Sequence, residues 1–252
     1  MKIFDLTDQR AIVVGGAGDL GIAILEGLLE AGATAVAIDI ATKVKALSAS
    51  LREKGYEVHG LEVDINDRNA IKKSVVDAVQ LLGGDIDILV NAAGIQRRAP
   101  SEDFSEQDWD DVLSVNLTAG FIYSQQVARG MIAKKRGKII HVSSIMSQFG
   151  GVTIPAYAAS KGGLSQLTKA LSNDWAVKGI CVNAIAPGYI DTQLNTALIS
   201  DEKRSTEVLL RTPVGRWGVP ADLKGVVIFL ASSASDFITG TVIPVDGGYS
   251  AR

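Results

Sequence analysis

With one cysteine and two histidines in 252 residues, the sequence has too little sulfur and imidazole for a disulfide framework or a soft-metal centre. Cys181 has no partner in the chain, and within the apolar run Ile180-Cys181-Val182 it reads as a buried core thiol. His59 and His141 stand in separate apolar stretches with no acidic cluster at ligand spacing, so no metal is expected, and His141 reads as a core position. Neither sign of charge is in excess: 25 basic against 28 acidic residues leave a net charge of −3, which gives no electrostatic case for nucleic acid or for an anionic membrane surface. No apolar run reaches the length of a membrane span. The acidic start Met1 to Asp8 lacks the form of a secretory signal, so the expected compartment is the cytoplasm. Prolines number only six, and no linker, repeat or low-complexity tract divides the chain.

What the sequence does have is alternation. Short apolar runs at Ala11 to Gly15, Thr34 to Asp39, Glu57 to Val63, Asp87 to Asn91, Lys138 to Ser143, Ile180 to Ile185 and Thr241 to Val245 read as strands. Helical patterns lie between them, near Leu20 to Ala31, Thr42 to Lys54, Asp67 to Leu82, Glu106 to Lys135, Ala156 to Val177 and Ala221 to Ala231. Continuous rather than alternating apolar strands need cover on both faces, so the fold class is α/β: a single doubly wound domain with a parallel sheet and helices on both sides. The longest stretch without a strand, Ala186 to Gly240, includes polar helical sequence, and its part from 189 to 215 reads as a mobile lid over a site at the strand ends.

The first strand runs into Gly15-Gly16-Ala17-Gly18-Asp19-Leu20-Gly21 and then directly into a helix. Glycines there allow a tight turn and a close approach of a pyrophosphate to the free amides of the helix N-terminus. Asp39 ends the second strand eighteen residues after Gly21, the position of a carboxylate that binds ribose hydroxyls. No basic residue lies in the loop, and the Asp39 charge would repel a 2′-phosphate. The nearest cation, Lys43, is assigned to the solvated face of the next helix. The predicted cofactor is NAD.

Tyr157 and Lys161 are four residues apart, one turn of a helix, and so share a face. A cation about 4 Å from a phenol at an effective dielectric near 20 is worth roughly 4 kcal/mol, enough to bring a pKa of about 10 down by some three units. Such a tyrosine serves as a general base toward an alcohol and as a general acid in reverse. Ser144, thirteen residues before it at a strand end, would donate to a carbonyl oxygen.

With this loop and this triad, the chain resembles the classical short-chain dehydrogenase/reductase family over essentially its whole length. The resemblance implies a Rossmann-like sheet of seven strands, hydride transfer between nicotinamide and a carbinol carbon, and a homotetramer. It implies that Asn116 completes a catalytic set with Ser144, Tyr157 and Lys161 and holds a water that links Lys161 to solvent. It assigns to the cofactor Gly15, Gly18, Asp19, Leu20 and Gly21, then Asp39 and Ile40, with Asp64 and Ile65 toward adenine. Asn91, Ala92, Ala93 and Gly94 would line the cofactor after the fourth strand, and Pro187, Gly188, Ile190 and Thr192 would hold its carboxamide end. Two positions depart from the family pattern: Val14 replaces a threonine, and Asp19 replaces the middle glycine, which puts a carboxylate close to the pyrophosphate. Within the family, Gly94-Ile95-Gln96-Arg97-Arg98, Gln148 in the loop after Ser144, Arg204 and Gly215-Arg216-Trp217-Gly218 are similar to sugar-acid dehydrogenases of the gluconate, 2-deoxygluconate and 2-dehydro-3-deoxygluconate types. Such a substrate needs a cation for its carboxylate, and guanidinium binds carboxylate bidentately. Arg97, Arg98 and Arg204 are the candidates, at least one of the adjacent pair being assigned to solvent or an interface. A 3-oxoacyl carrier-protein reductase is the alternative enzyme, and a nucleotide-binding protein without catalysis the alternative of another class.

Overall fold

A computed structural model describes all 252 residues. Seven strands, β1 (Arg10–Val14), β2 (Thr34–Asp39), β3 (Val58–Glu62), β4 (Ile88–Asn91), β5 (Gly137–Val142), β6 (Ile180–Pro187) and β7 (Val242–Val245), form one sheet. Every pairing is parallel and the order is β3-β2-β1-β4-β5-β6-β7. The chain winds outward in one direction from β1 and in the other from β4. Their carboxyl ends therefore leave an uncovered crevice, the place where ligands bind in such sheets.

Alternation along the strands separates two apolar layers. Ala11 and Val13 face one layer with Ile24, Leu25 and Leu28 of α1 (Asp19–Glu30). Ile12 and Val14 face the other with Ile71 of α3 (Arg68–Leu81). Both sets of strand residues are fully buried, which is why these strands read as unbroken apolar runs. The remaining helices are α2 (Lys43–Glu53), α4 (Glu106–Leu113), α5 (Ala119–Ala133), the short α6 (Met146–Phe149), α7 (Pro155–Trp175), α8 (Thr196–Ile199), α9 (Glu202–Arg211) and α10 (Lys224–Ala231).

Two readings need correction. The continuous helix expected from Glu106 to Lys135 is interrupted by a π-helical turn at Ser114–Thr118, which joins α4 to α5. A π turn inserts one residue into a helix, and here it carries Asn116, which is buried beside Ile95 and Ser160. Cys181 is only half-buried, since it lies near the start of β6 at the opposite end of the sheet from the crevice, with its thiol 3.6 Å from the Asp236 carbonyl. After β6, Ile190 pairs with Gly218, and Asp191 donates to the Gly218 carbonyl at 2.8 Å. The segment 189–215 is thereby tied down at its start before it folds into α8 and α9.

Candidate active site

The glycine-rich loop takes the shape its residues allow. Gly15 has φ of +77°, and a Cβ there would lie 2.6 Å from the Ala93 backbone. At Gly21 a Cβ would fall 1.9 Å from the Gly15 carbonyl, so only glycine lets α1 pack this closely on the loop. Gly18 is the N-cap of α1 and supplies no side-chain acceptor, which leaves the first amides of the helix for an anion. The Asp39 carboxylate is fixed at the end of β2 by two backbone amides, Ala17 N–H at 3.0 Å and Ala41 N–H at 3.0 Å. A cradle with close glycine packing, an uncapped helix N-terminus and a fixed carboxylate suits a dinucleotide.

Around this loop runs a groove in two parts. One, of about 420 Å³, is bordered by Asp39, Ile40, Asp64, Ile65, Ala93 and Arg97. The other, of about 230 Å³, is bordered by Asp19, Leu20, Gly21, Lys43, Pro187, Gly188, Ile190 and Thr192, and ends at Ser144, Tyr157 and Lys161. Gly15, Gly18, Ala92 and Gly94 belong to both, so the groove is continuous. Lys43, assigned to the solvated face of its helix, turns out to border the groove.

Of the predicted cofactor residues, Asn91 is set apart. It is 6% exposed and its amide points to the Gly120 carbonyl and the Ser124 hydroxyl, both at 3.4 Å, so its side chain joins β4 to α5. Asp19 is also differently engaged. Its carboxylate accepts the backbone N–H of Gln193 at 2.7 Å and so faces the segment after β6 rather than standing free beside a pyrophosphate.

The triad converges where the groove ends. Ser144 follows β5 directly, and its Oγ accepts the Met146 N–H at 3.1 Å. Lys161 is 3% exposed, and its Nζ donates to the Val142 carbonyl at 2.8 Å and lies 5.7 Å from the centre of the Tyr157 ring. The one-turn spacing thus places the ammonium over the ring face instead of against the phenol oxygen. Burial draws the Lys161 pKa down to about 8. The Tyr157 pKa is raised, because burial outweighs the opposing effects of the Ser144 hydroxyl and of the Arg98 charge. Arg98 is thus a second cation, beside Lys161, that favours the phenolate, one the spacing of Tyr157 and Lys161 does not reveal.

Asn116 is 2% exposed and fully engaged. It accepts the Ile95 N–H at 2.8 Å and donates to the Ile95 carbonyl and the Ser160 hydroxyl, both at 3.0 Å. The π turn therefore clamps the segment after β4 against α7. A Cβ on Gly94 would lie 3.4 Å from Lys161 Nζ and 3.6 Å from Asn116 Oδ1, which shows how closely these three positions meet.

A third cavity, about 290 Å³, opens on the other side of Ser144 and Tyr157 and is bordered by Gln96, Arg98, Arg204 and Arg211. Arg97 is directed away from it, 3.2 Å from Asp108 in an exposed ion pair, and borders the Asp39 end of the groove instead. Adjacent residues in an extended segment point to opposite sides, so only one of the pair can enter this cavity. Gln148 is exposed on α6 and does not border the cavity. Three residues that sequence reasoning missed do border it: Tyr189, Tyr249 and Arg211, two of them rings in edge-to-face contact at 5.1 Å. Trp217 meets Tyr189 edge to face at 5.6 Å and its indole donates to Ser205 at 3.0 Å, while Arg216 grips Asp222 with two bonds of 2.7 and 2.9 Å. These residues brace α9.

A family profile described as enoyl-(acyl carrier protein) reductase matches residues 15–250. The chain belongs to the short-chain dehydrogenase/reductase family. It is 43% identical to a 2-dehydro-3-deoxy-D-gluconate 5-dehydrogenase of Pseudoalteromonas atlantica, with 100% of both chains covered. It is 40% identical to a gluconate 5-dehydrogenase of Gluconobacter oxydans over 98% of this chain and 96% of that one. Among solved structures, a gluconate 5-dehydrogenase from Burkholderia cenocepacia in complex with NADP and tartrate superposes with a TM-score of 0.95 at 42% identity, covering 99% of this chain and 98% of that one. The seven-stranded parallel sheet is the one expected of a short-chain dehydrogenase, and no helix is long and apolar enough to cross a membrane.

Proposed function

We propose that the chain is an NAD-dependent dehydrogenase that oxidises a secondary alcohol of a hexonate-type sugar acid, acting in the cytoplasm as a homotetramer. The observation that carries this reading is the position of Ser144 and Tyr157, at the junction of a dinucleotide-type groove and a cavity bordered by arginines with no aspartate or glutamate. The names of the relatives support the same substrate class.

When bound, the dinucleotide supplies the hydride acceptor for the carbinol carbon. Tyr157 takes the alcohol proton on its phenolic oxygen, and the Ser144 hydroxyl donates to the substrate oxygen. Lys161, anchored by the Val142 carbonyl, would hold the nicotinamide end, while Asn116, engaged by Ile95 and Ser160, keeps the segment after β4 in place beside it. Since the Tyr157 pKa lies above its ordinary value, oxidation gains at alkaline pH, and reduction, in which the phenol donates, proceeds at neutral pH.

The choice of NAD rests on charge. Asp39, Asp64 and Asp111 border the adenosine end of the groove, and the only arginine there, Arg97, is engaged by Asp108. A 2′-phosphate would meet carboxylates, although Lys43 is within the groove and the solved relative from Burkholderia holds NADP. One lost ribose contact plus like-charge repulsion exceeds about 1.4 kcal/mol, so NAD should be favoured at least about tenfold. The test is an absorbance screen of reduced-dinucleotide formation with gluconate, 2-deoxygluconate, 2-dehydro-3-deoxygluconate and their neutral alditols, run with each dinucleotide. Turnover of acids in preference to alditols supports the substrate class. NADP equal to NAD would overturn the cofactor choice.

A further inference from the structure

Arg98 and Arg204 were expected near the site from the sequence; Arg211 was not, and as a whole residue it is half-buried where the other two are exposed. It is the last residue of α9. Its guanidinium carbon lies 4.3 Å from the centre of the Tyr249 ring and 5.0 Å from that of Phe149, two rings set edge to face 6.1 Å apart. Stacking of this kind fixes the plane of the fork while leaving its N–H groups free at the rim. One of those groups reaches the Arg252 carbonyl at 3.4 Å, at the outer limit of a hydrogen bond. No aspartate or glutamate side chain pairs with Arg98, Arg204 or Arg211, whereas Arg97 and Arg216 both have aspartate partners. The same cavity has no acidic residue at its border.

Three unpaired cations around one cavity repel each other, and an anion among them offsets that cost. The mutual effect is visible at Arg98, whose pKa is lowered by burial and by Arg204. All three charges face Tyr189, and only that of Arg98 also reaches Tyr157. A purely structural role, tying the C-terminal residues to α9, is already filled by the Arg252 guanidinium, which donates to the Leu210 carbonyl at 2.9 Å.

We propose that Arg211, held in plane by Phe149 and Tyr249, is the specificity-determining residue that grips the substrate carboxylate together with Arg204, leaving Arg98 to the reacting end beside Tyr157. This rests on the sugar-acid reading above. Pre-organisation is the reason for the aromatic pair: a fork already in position loses little freedom on binding.

The experiment compares the full chain with Arg211→Met and Arg211→Lys, using gluconate and its neutral alditol glucitol as probes, after each variant is shown to keep wild-type dinucleotide affinity. Arg211→Met should raise KM for gluconate about 30-fold or more, as loss of a charge-assisted bidentate contact implies, and leave kcat/KM for glucitol within about threefold. Arg211→Lys should recover only part of the loss, because an ammonium neither stacks nor forks. Millimolar guanidinium ion should partly restore gluconate turnover by Arg211→Met and leave glucitol turnover unchanged. Equal losses on both probes, or an unchanged gluconate KM in Arg211→Met, would overturn this assignment while the substrate class stands. A wild-type chain with no preference for the acid would overturn both.

Discussion

At the scale of single residues, the chemistry depends on how burial and charge compete at Tyr157. Four-residue spacing is enough to bring Lys161 alongside, but the Val142 carbonyl captures its ammonium and leaves it over the ring face. Burial raises the phenol above its ordinary ionisation range, and the Ser144 hydroxyl and the Arg98 charge limit the rise. Arg98→Gln should shift the pH at which oxidation reaches half its maximum toward higher values, the direction that follows from removing a cation that favours phenolate. The profile is best recorded with an uncharged polyol, so that carboxylate recognition does not enter. A profile that stays in place, or moves to lower pH, would mean that the Arg98 charge does not reach the phenol.

The elements were readable in the sequence where burial imposes a simple pattern, and obscure where contacts are made between distant segments. The inner strands were plain, because cover on both faces turns each of them into an apolar run, whereas the half-exposed edge strand β3 mixes polar residues into its pattern. The glycine loop was apparent because its turn and close packing exclude side chains. The π turn at Ser114–Thr118 was not, since its residues, Ser114-Val115-Asn116-Leu117-Thr118, include no glycine or proline to mark a break between α4 and α5. Arg211 was hidden because its partners, Phe149 and Tyr249, come from α6 and from the end of the chain. Asp19 combines both cases: its place in the loop was plain, but its partner Gln193 lies 174 residues on. That bond joins the phosphate-binding turn to the segment that follows β6. One exposed hydrogen bond is worth about 1 kcal/mol, so Asp19→Ala should speed amide exchange in the 192–199 stretch about fivefold. Asp19→Asn keeps an acceptor for the Gln193 N–H and should stay near wild type. Exchange rates that are the same in all three proteins would show that the segment is held by other contacts.

For the molecule as a whole, the sheet that positions the site also buries a titratable ring. His141, on β5, is fully buried, with Nε2 3.1 Å from the Ser124 hydroxyl and Nδ1 2.9 Å from that of Thr168. Each hydroxyl also lies within reach of a carbonyl one turn back, Ser124 of Gly120 at 2.7 Å and Thr168 of Leu164 at 2.9 Å, so a neutral ring is satisfied when one of them turns its proton from that carbonyl to the ring and the other accepts from the ring. Burial, and then the Lys161 charge, push its pKa from 6.5 down to about 3. In the unfolded chain the same ring takes a proton near pH 6.5. The stability that depends on neutral His141 is thus complete above that pH and is lost as pH falls from 6.5 toward 3, because the unfolded state binds the proton first. Other carboxylates titrate in the same range, so the contribution of His141 is isolated only by difference. His141→Gln removes the titration while retaining an acceptor and a donor for the two hydroxyls. It should be less stable than wild type at pH 7, where its packing is poorer, and should regain about 3 kcal/mol relative to wild type between pH 7 and pH 4.5. Urea unfolding at a series of pH values measures this difference directly. Parallel stability curves for the two proteins would mean that the ring is protonated within the folded sheet, and that Ser124 and Thr168 hold a charged imidazolium in place of a neutral one.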